Sequence, residues 1–226
     1  MIAARYRALV FDLDGTLADT AGDIREALVR ALATEGLPPI NVDSVRLMIG
    51  GGPKLLVERA LHHIGQPAAT ALVETLARRF HTEARSLGTD KSRLFDGAMS
   101  TLQQLHNAGV RVGLCSNKPD DLCRMLAQDL GIAPYIDEIL GSADHLPKKP
   151  DPAPLLEVIK RLGVPAAETL YVGDSATDVA TARAAGVPVM LVSHGYTLRK
   201  ARQLGADAVI DSLDELVRPG PFARSA

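Results

Sequence analysis

The chain has 226 residues, 46% of them hydrophobic and 23% charged, the make-up of a globular protein with apolar mass for one large domain or for a domain with a smaller companion. Its 25 basic and 27 acidic residues leave a formal net charge of −2 with no basic run, which argues against a grip on nucleic acid or anionic lipid. Two cysteines, Cys115 and Cys123, are too few for a disulfide framework and lack metal-type spacing, and no stretch approaches about 18 apolar residues, so a cytoplasmic protein with no membrane partner is expected.

Near the start, Leu9, Val10 and Phe11 form a short β-prone apolar run of the kind buried in a parallel sheet. The run ends in Asp12-Leu13-Asp14-Gly15-Thr16. On an extended chain residues i and i+2 point the same way, so both carboxylates face one spot, and Gly15 lets the chain turn sharply away. Ligands of open α/β sheets bind beyond the carboxyl ends of the strands. Two acids held together there point to Mg²⁺, to split protonation states, or to both. The competing reading is a polar strand end closed by a turn.

Residues 20–36 have the periodicity of an amphipathic helix, with Ile24, Leu28 and Leu32 on one face and Gly36 as its stop. A short helix is predicted over 43–49, ended by Gly50-Gly51-Gly52-Pro53, and two more over 54–64 and 67–87. No strand-like alternation occurs between about 18 and 92. Beyond that the pattern changes. Helices are predicted at 98–108, 120–130, 153–162 and 176–185, with strands at 110–115, 139–140, 169–172, 188–192 and 208–210. Further helices are predicted near 197–204 and 212–217, and a loose tail from Pro219. Such alternation predicts an α/β fold, a doubly wound Rossmann-like parallel sheet, with an all-α cap inserted after the first strand. The domains expected are an α/β core of residues 1–17 and 93–226 and a helical cap of residues 18–92.

Three further strand ends present polar groups. Ser116 and Asn117 follow strand 110–115 and can donate to a phosphoryl oxygen, although Ser or Asn before a helix also serves as an N-cap. Lys149, in a Pro-rich loop, can clamp phosphate as a point charge; its neighbour Lys148 is not separable from it by spacing, and a solvated loop lysine is the plainer reading. Gly173-Asp174-Ser175-Ala176-Thr177-Asp178 closes a strand and opens a helix, with Asp174 placed to bind Mg²⁺ and Asp178 one turn further on. Helix capping by Asp174 or Ser175 is the alternative. Four strand ends carrying an Asp pair, Ser-Asn, Lys-Pro and Gly-Asp-x-x-x-Asp in that order are an improbable coincidence.

These four motifs, in this order and with a helical insert after the first, resemble those of the haloacid dehalogenase superfamily of phosphohydrolases. Asp12-x-Asp14-Gly15-Thr16, Ser116-Asn117, Lys149-Pro150-x-Pro152 and Gly173-Asp174-x-x-x-Asp178 match its first to fourth motifs. Within it the chain is most similar to bacterial phosphoglycolate phosphatases, through Leu17-x-Asp19-Thr20, Glu35-Gly36-Leu37-Pro38-Pro39, Ile49-Gly50-Gly51-Gly52 and Ser116-Asn117-Lys118-Pro119. Those proteins often have Tyr-Pro-Gly where this chain has Phe95-Asp96-Gly97.

The resemblance implies hydrolysis of a small phosphorylated metabolite with Mg²⁺ as cofactor. Asp12 would be the nucleophile that forms an aspartyl-phosphate, and Asp14 the general acid and then base. Ser116, Asn117, Lys149 and Thr16 would bind the phosphoryl group. Asp12, Asp14 and Asp174 would hold the metal, with Asp178 behind them. In the insert, Gly50, Gly51, Gly52 and Lys54 are candidates for meeting a substrate carboxylate, the alternative being a flexible helix–helix turn. Rival activities are a phosphatase for a sugar phosphate or pyrophosphate, a sugar phosphomutase, and, outside enzymes, a phospho-acceptor switch. A monomer or homodimer is expected. Cys115 reads as a buried structural thiol, and His62, His63 and His81 have no metal-type arrangement.

Overall fold

The structure, a computed structural model, describes residues 3–143, 145–197 and 200–218. In chain order the elements are β1 (Ala8–Phe11), β2 (Ala18–Asp19), α1 (Ala21–Ala33), α2 (Val42–Arg46), α3 (Pro53–His63), α4 (Thr70–Leu87), β3 (Arg93–Leu94) and α5 (Ala98–Asn107). These are followed by β4 (Arg111–Pro119), α6 (Asp120–Asp129), β5 (Glu138–Ser142), α7 (Ala153–Leu162), β6 (Thr169–Gly173), α8 (Ala176–Ala185), β7 (Val189–Val192) and β8 (Ala208–Ile210).

Six strands form one sheet in the order β5-β4-β1-β6-β7-β8, every neighbouring pair parallel. β1 lies inside it, with all four residues buried. Alternation along the strand sends Leu9 and Phe11 to one face, against Leu102, Leu105 and Leu126 of α5 and α6. Ala8 and Val10 face the other way, against Leu155, Val158 and Ile159 of α7 and Val179 of α8. Helices on both faces are why β1 is an unbroken apolar run. The chain leaves β1 for β4 and β5 on one side and returns to β6, β7 and β8 on the other. The point of reversal is the edge between β1 and β6, where a crevice opens at the strands' carboxyl ends.

Helices α1 to α4 carry a separate apolar cluster that includes Leu28, Leu32, Val57, Leu61, Leu76 and Phe80. The two passages between this bundle and the sheet lie side by side as the antiparallel ribbon Ala18↔Leu94 and Asp19↔Arg93. Two residues per strand are too few to produce alternation, so the ribbon leaves no periodic signal in the sequence. The predicted helix over 43–49 is the shorter α2, started by Asn41, whose side chain accepts the Ser44 N–H at 2.8 Å. β4 outruns its predicted end at Cys115 and continues to Pro119, with a register break after Cys115 before Pro119 pairs with Ser142. The helices predicted near 197–204 and 212–217 are, among the described residues, single 3₁₀ turns at Ala201–Gln203 and Leu213–Leu216. The predicted tail from Pro219 lies outside the described residues. Among those residues no helix is long and apolar enough to cross a membrane.

Candidate active site

Asp12 is the first residue after β1 and continues its ladder, its N–H donating to Val172 O at 2.9 Å. The extended backbone aims its side chain at the crevice between β1 and β6. There its Oδ1 lies 3.1 Å from Lys149 Nζ, an ion pair whose angle falls outside hydrogen-bond geometry. Lys149 is 5% exposed, and its ammonium donates to Asp178 Oδ1 at 2.8 Å, Tyr171 Oη at 2.7 Å and Cys115 O at 3.0 Å. The loop that carries it has a cis peptide bond between Lys149 and Pro150. Burial alone would push this lysine down, but Asp12 and Asp178 outweigh it and hold the ammonium charged, above the usual lysine value.

Asp178 has no exposure at all. Its Oδ2 accepts the N–H of Asp174 at 3.2 Å, the N–H of Ser175 at 3.0 Å and the Ser175 hydroxyl at 2.6 Å. Ser175 and Asp178 thus form the capping box of α8, so the capping role foreseen for Ser175 and the lysine contact of Asp178 coexist. Against the cost of burial, Lys149 and these donors keep the Asp178 carboxylate below its ordinary range. Asp174 is placed otherwise. Burial, then Asp178 and Asp12, push it well above the usual carboxylate value, and its Oδ2 accepts the Tyr196 backbone N–H at 2.7 Å. Burial likewise pushes the Asp12 carboxyl up to about 6, although Lys149 pulls the other way.

Oxygens of Asp12, Asp174 and Asp178 lie within 4.8 Å of one another. Three carboxylates and one ammonium leave this buried cluster two negative charges in excess when all are ionised, and the donors are hard oxygens. That set fits a divalent cation such as Mg²⁺. Burial disfavours all three ionised forms, but only at Asp178 do Lys149 and the surrounding donors outweigh it; Asp12 and Asp174 are the carboxylates left in need of a cation.

Asp14 points elsewhere. Its Oδ1 accepts from Thr20 Oγ1 at 2.6 Å and from Lys118 Nζ at 3.0 Å. Between the turn that follows it and the helical bundle lies a cavity lined by Asp12, Asp14, Ser116, Asn117 and Lys118 below and by Ile49, Gly50, Gly52, Leu56 and Phe80 above. Ser116 and Asn117 are buried, and neither caps α6, whose N-cap is Pro119. The Asn117 amide donates to Gly50 O and Lys149 O, both at 2.9 Å, and accepts the Lys149 N–H at 2.9 Å. Its side chain therefore fixes the lysine loop and the glycine loop of the bundle. Thr16 is fully buried, its hydroxyl without a hydrogen-bond partner among the described residues. Gly50 and Gly52 reach the cavity, while Gly51 packs on Leu55. Lys54 does not line it; its ammonium lies 3.2 Å from Glu74 Oε1 on an exposed face. Lys148, inseparable from Lys149 by spacing, stands apart from the buried cluster, with its Nζ near Gly52. Cys115 is fully buried, which pushes its thiol up to about 12 and leaves it unreactive.

Four contributors escape the sequence. Lys118 and Thr20 meet Asp14, Tyr171 bridges Lys149 and Asp178, and Tyr196 holds Asp174 with its N–H while its hydroxyl accepts the Thr20 N–H at 2.7 Å. Lys118 was within reach of sequence reasoning, as the cation next to Ser116-Asn117. A buried Tyr in a strand and a Tyr in the loop after β7 carry no comparable mark. Gly15 combines φ +86° with a close approach to the site; a Cβ there would lie 2.6 Å from Asp174 Oδ2. Gly15→Ala is accordingly expected to cost about 1–3 kcal/mol of stability, read as a lower urea midpoint.

A family model of haloacid dehalogenase-like hydrolases matches residues 9–192. A phosphoglycolate phosphatase of Rhodospirillum rubrum is 39% identical over 214 residues, 93% of this chain and 89% of the relative. One from Yersinia pseudotuberculosis is 41% identical over 196 residues, covering 86% of this chain and 84% of the relative. Among solved structures, that of a predicted phosphoglycolate phosphatase from Haemophilus somnus matches with a TM-score of 0.86 at 26% identity, over 94% of this chain and 97% of the other. The helical bundle and the strand-end residues from Asp12 to Asp178 fall within residues 9–192, and the chain belongs to the haloacid dehalogenase-like hydrolase family.

Proposed function

We propose that this chain is a Mg²⁺-dependent phosphoric monoester hydrolase acting on a small phosphorylated metabolite, 2-phosphoglycolate in the first place. The observation that carries the reading is the Lys149 ammonium held between Asp12 and Asp178, beside Asp174, at the reversal point of the sheet. The phosphoglycolate phosphatases among the relatives supply the substrate.

In the reaction proposed, an Asp12 oxygen attacks phosphorus, the ester P–O bond breaks, and Asp14 gives its proton to the leaving alkoxide. Water then attacks phosphorus, Asp14 takes the water's proton, the bond between the Asp12 oxygen and phosphorus breaks, and the Asp12 carboxylate is regenerated as inorganic phosphate leaves. Ser116 binds a non-bridging oxygen, where charge gathers in the transition state, and Lys149, its N–H groups taken by Asp178, Tyr171 and Cys115 O, acts through its positive charge beside Asp12. Asn117 fixes the lysine loop from behind. Mg²⁺, when held by Asp12, Asp174 and the Asp14 backbone, supplies charge neutralisation for the phosphoryl group. Residues 18–92 are the cap that closes over the ester and excludes water, and residues 1–17 and 93–226 the catalytic part.

The test is phosphate release from a panel of small esters with Mg²⁺ and with EDTA. A preference for 2-phosphoglycolate of about tenfold or more, worth ~1.4 kcal/mol of transition-state binding and abolished by EDTA, is the expected result. Activity spread evenly over sugar phosphates or pyrophosphate would refute the substrate, and absence of release from every ester would refute the hydrolase.

Metal binding has a pH signature. Without metal, folded Asp12 keeps a proton up to about pH 6, whereas the unfolded chain releases it near 3.8. That stabilisation is complete below the unfolded value and lost as the pH rises through about 6, so metal-free protein loses stability over this range on account of Asp12. A cation at the site needs the ionised form. The thermal stabilisation given by Mg²⁺ is therefore expected to grow from pH 5 to pH 7, with proton release on binding. Calorimetry in buffers of different ionisation enthalpy checks this, and equal stabilisation at both pH values would count against the site.

A further inference from the structure

The cavity between sheet and bundle has three carboxylates in its lining, those of Asp12, Asp14 and Asp23. Among its described lining residues Lys118 is the one Lys, Arg or His. Lys149 lies beneath the floor, its side chain 2% exposed and its ammonium engaged by Asp12 and Asp178. The Lys118 ammonium is 3.0 Å from Asp14 Oδ1 and 3.4 Å from Oδ2, with a side chain 13% exposed. Its backbone is pinned, the N–H donating to Ser116 Oγ at 3.3 Å and the carbonyl accepting from Cys123 Sγ at 3.6 Å. The four-carbon stem is thus the movable part.

This placement sets up a conflict. Asp14 Oδ1 already accepts from Thr20 and from Lys118, and the same carboxyl group must hand a proton to the leaving oxygen. An ammonium resting on it stands in the way. A second anion on the leaving alcohol would give that ammonium a charged partner inside a cavity walled by Ile49, Leu56 and Phe80, where water competes poorly. A neutral alcohol offers no such partner and leaves Lys118 on Asp14.

We propose that Lys118 is the specificity-determining residue of the reaction: it takes the carboxylate of the leaving group, and in moving to it releases Asp14 for proton transfer. The proposal rests on the phosphatase reading above. Because the remote anion frees the acid, selectivity falls on kcat as well as on KM.

The experiment compares 2-phosphoglycolate with 2-hydroxyethyl phosphate, in which CH₂OH replaces the carboxylate, in wild type, Lys118→Met and Lys118→Arg. Wild type is expected to favour the carboxylate ester. Lys118→Met should reduce the ratio of the two kcat/KM values about 100-fold, the worth of one charge-assisted contact, with part of the fall in kcat. Lys118→Arg should keep most of the ratio. Should Lys118→Met not fold, Lys118→Gln makes the same comparison. A neutral variant that keeps the wild-type ratio within about threefold (~0.7 kcal/mol) overturns the proposal and leaves the phosphatase reading standing. A wild type that releases phosphate from neither ester overturns that reading, and this proposal with it.

Discussion

Asp12→Asn is expected to lower phosphate release by on the order of 10⁴-fold or more, because an amide neither attacks phosphorus as a carboxylate nor forms the same acyl phosphate. The fold should survive. The change is nearly isosteric, and burial already pushes the Asp12 carboxyl up to about 6, so its charge is disfavoured at this place. Lys149 keeps Asp178 at 2.8 Å after the substitution. In EDTA at pH 7.5, Asp12→Asn should therefore unfold no earlier than wild type, while Mg²⁺ gives it less thermal stabilisation. Steady-state phosphate release and thermal melts with and without Mg²⁺ read both effects. Activity within about tenfold of wild type (~1.4 kcal/mol in barrier) would rule Asp12 out as nucleophile.

Lys149→Met should instead damage both properties. The side chain is of similar length, yet the buried carboxylates of Asp12 and Asp178 lose their shared cation, and Tyr171 and Cys115 O lose a donor. Breaking a buried ion pair by removing one partner costs about 3–5 kcal/mol, far more than the pair adds over an apolar replacement of both. Urea denaturation at pH 7 is expected to show a loss of that size. The deficit should shrink towards pH 5. Without Lys149 the downward pull on Asp12 disappears, its carboxyl rises further, and protonation at the lower pH relieves the unpaired charge. A loss under about 1 kcal/mol at pH 7, the scale of an exposed pair, would mean that the ammonium is not the keystone of this cluster.

The two variants separate roles that a motif cannot. Both residues lie at strand ends or loops of one crevice, but Asp12 is held there at a cost to stability, whereas Lys149 removes part of that cost. Residues kept in an unfavourable state by their surroundings are the ones where function has outweighed folding.

Much of this protein is determined by its sequence alone. Leu9-Val10-Phe11 reads as a buried parallel strand because helices cover both faces of the sheet, and the alternation after residue 93 dictates the doubly wound order. Asp12, Ser116, Lys149 and Asp174 are legible because each stands at or beyond the carboxyl end of a strand, and parallel strands deliver those ends to one edge. Backbone geometry common to all such sheets does that work. Other facts depend on distances between segments that the sequence does not order. Asn117 reaches the Lys149 backbone and Gly50 rather than standing as a cap, across 32 and 67 residues. Lys118, not Lys54, faces the cavity, since α3 turns Lys54 outward to Glu74 while the extended end of β4 carries Lys118 to Asp14. Tyr171 and Tyr196 join the site through hydroxyl and backbone contacts that leave no periodic trace. Local pattern fixes which residues arrive at the crevice; only packing between the sheet and the bundle decides which polar atoms then meet, because a hydrogen bond is made or lost within an ångström.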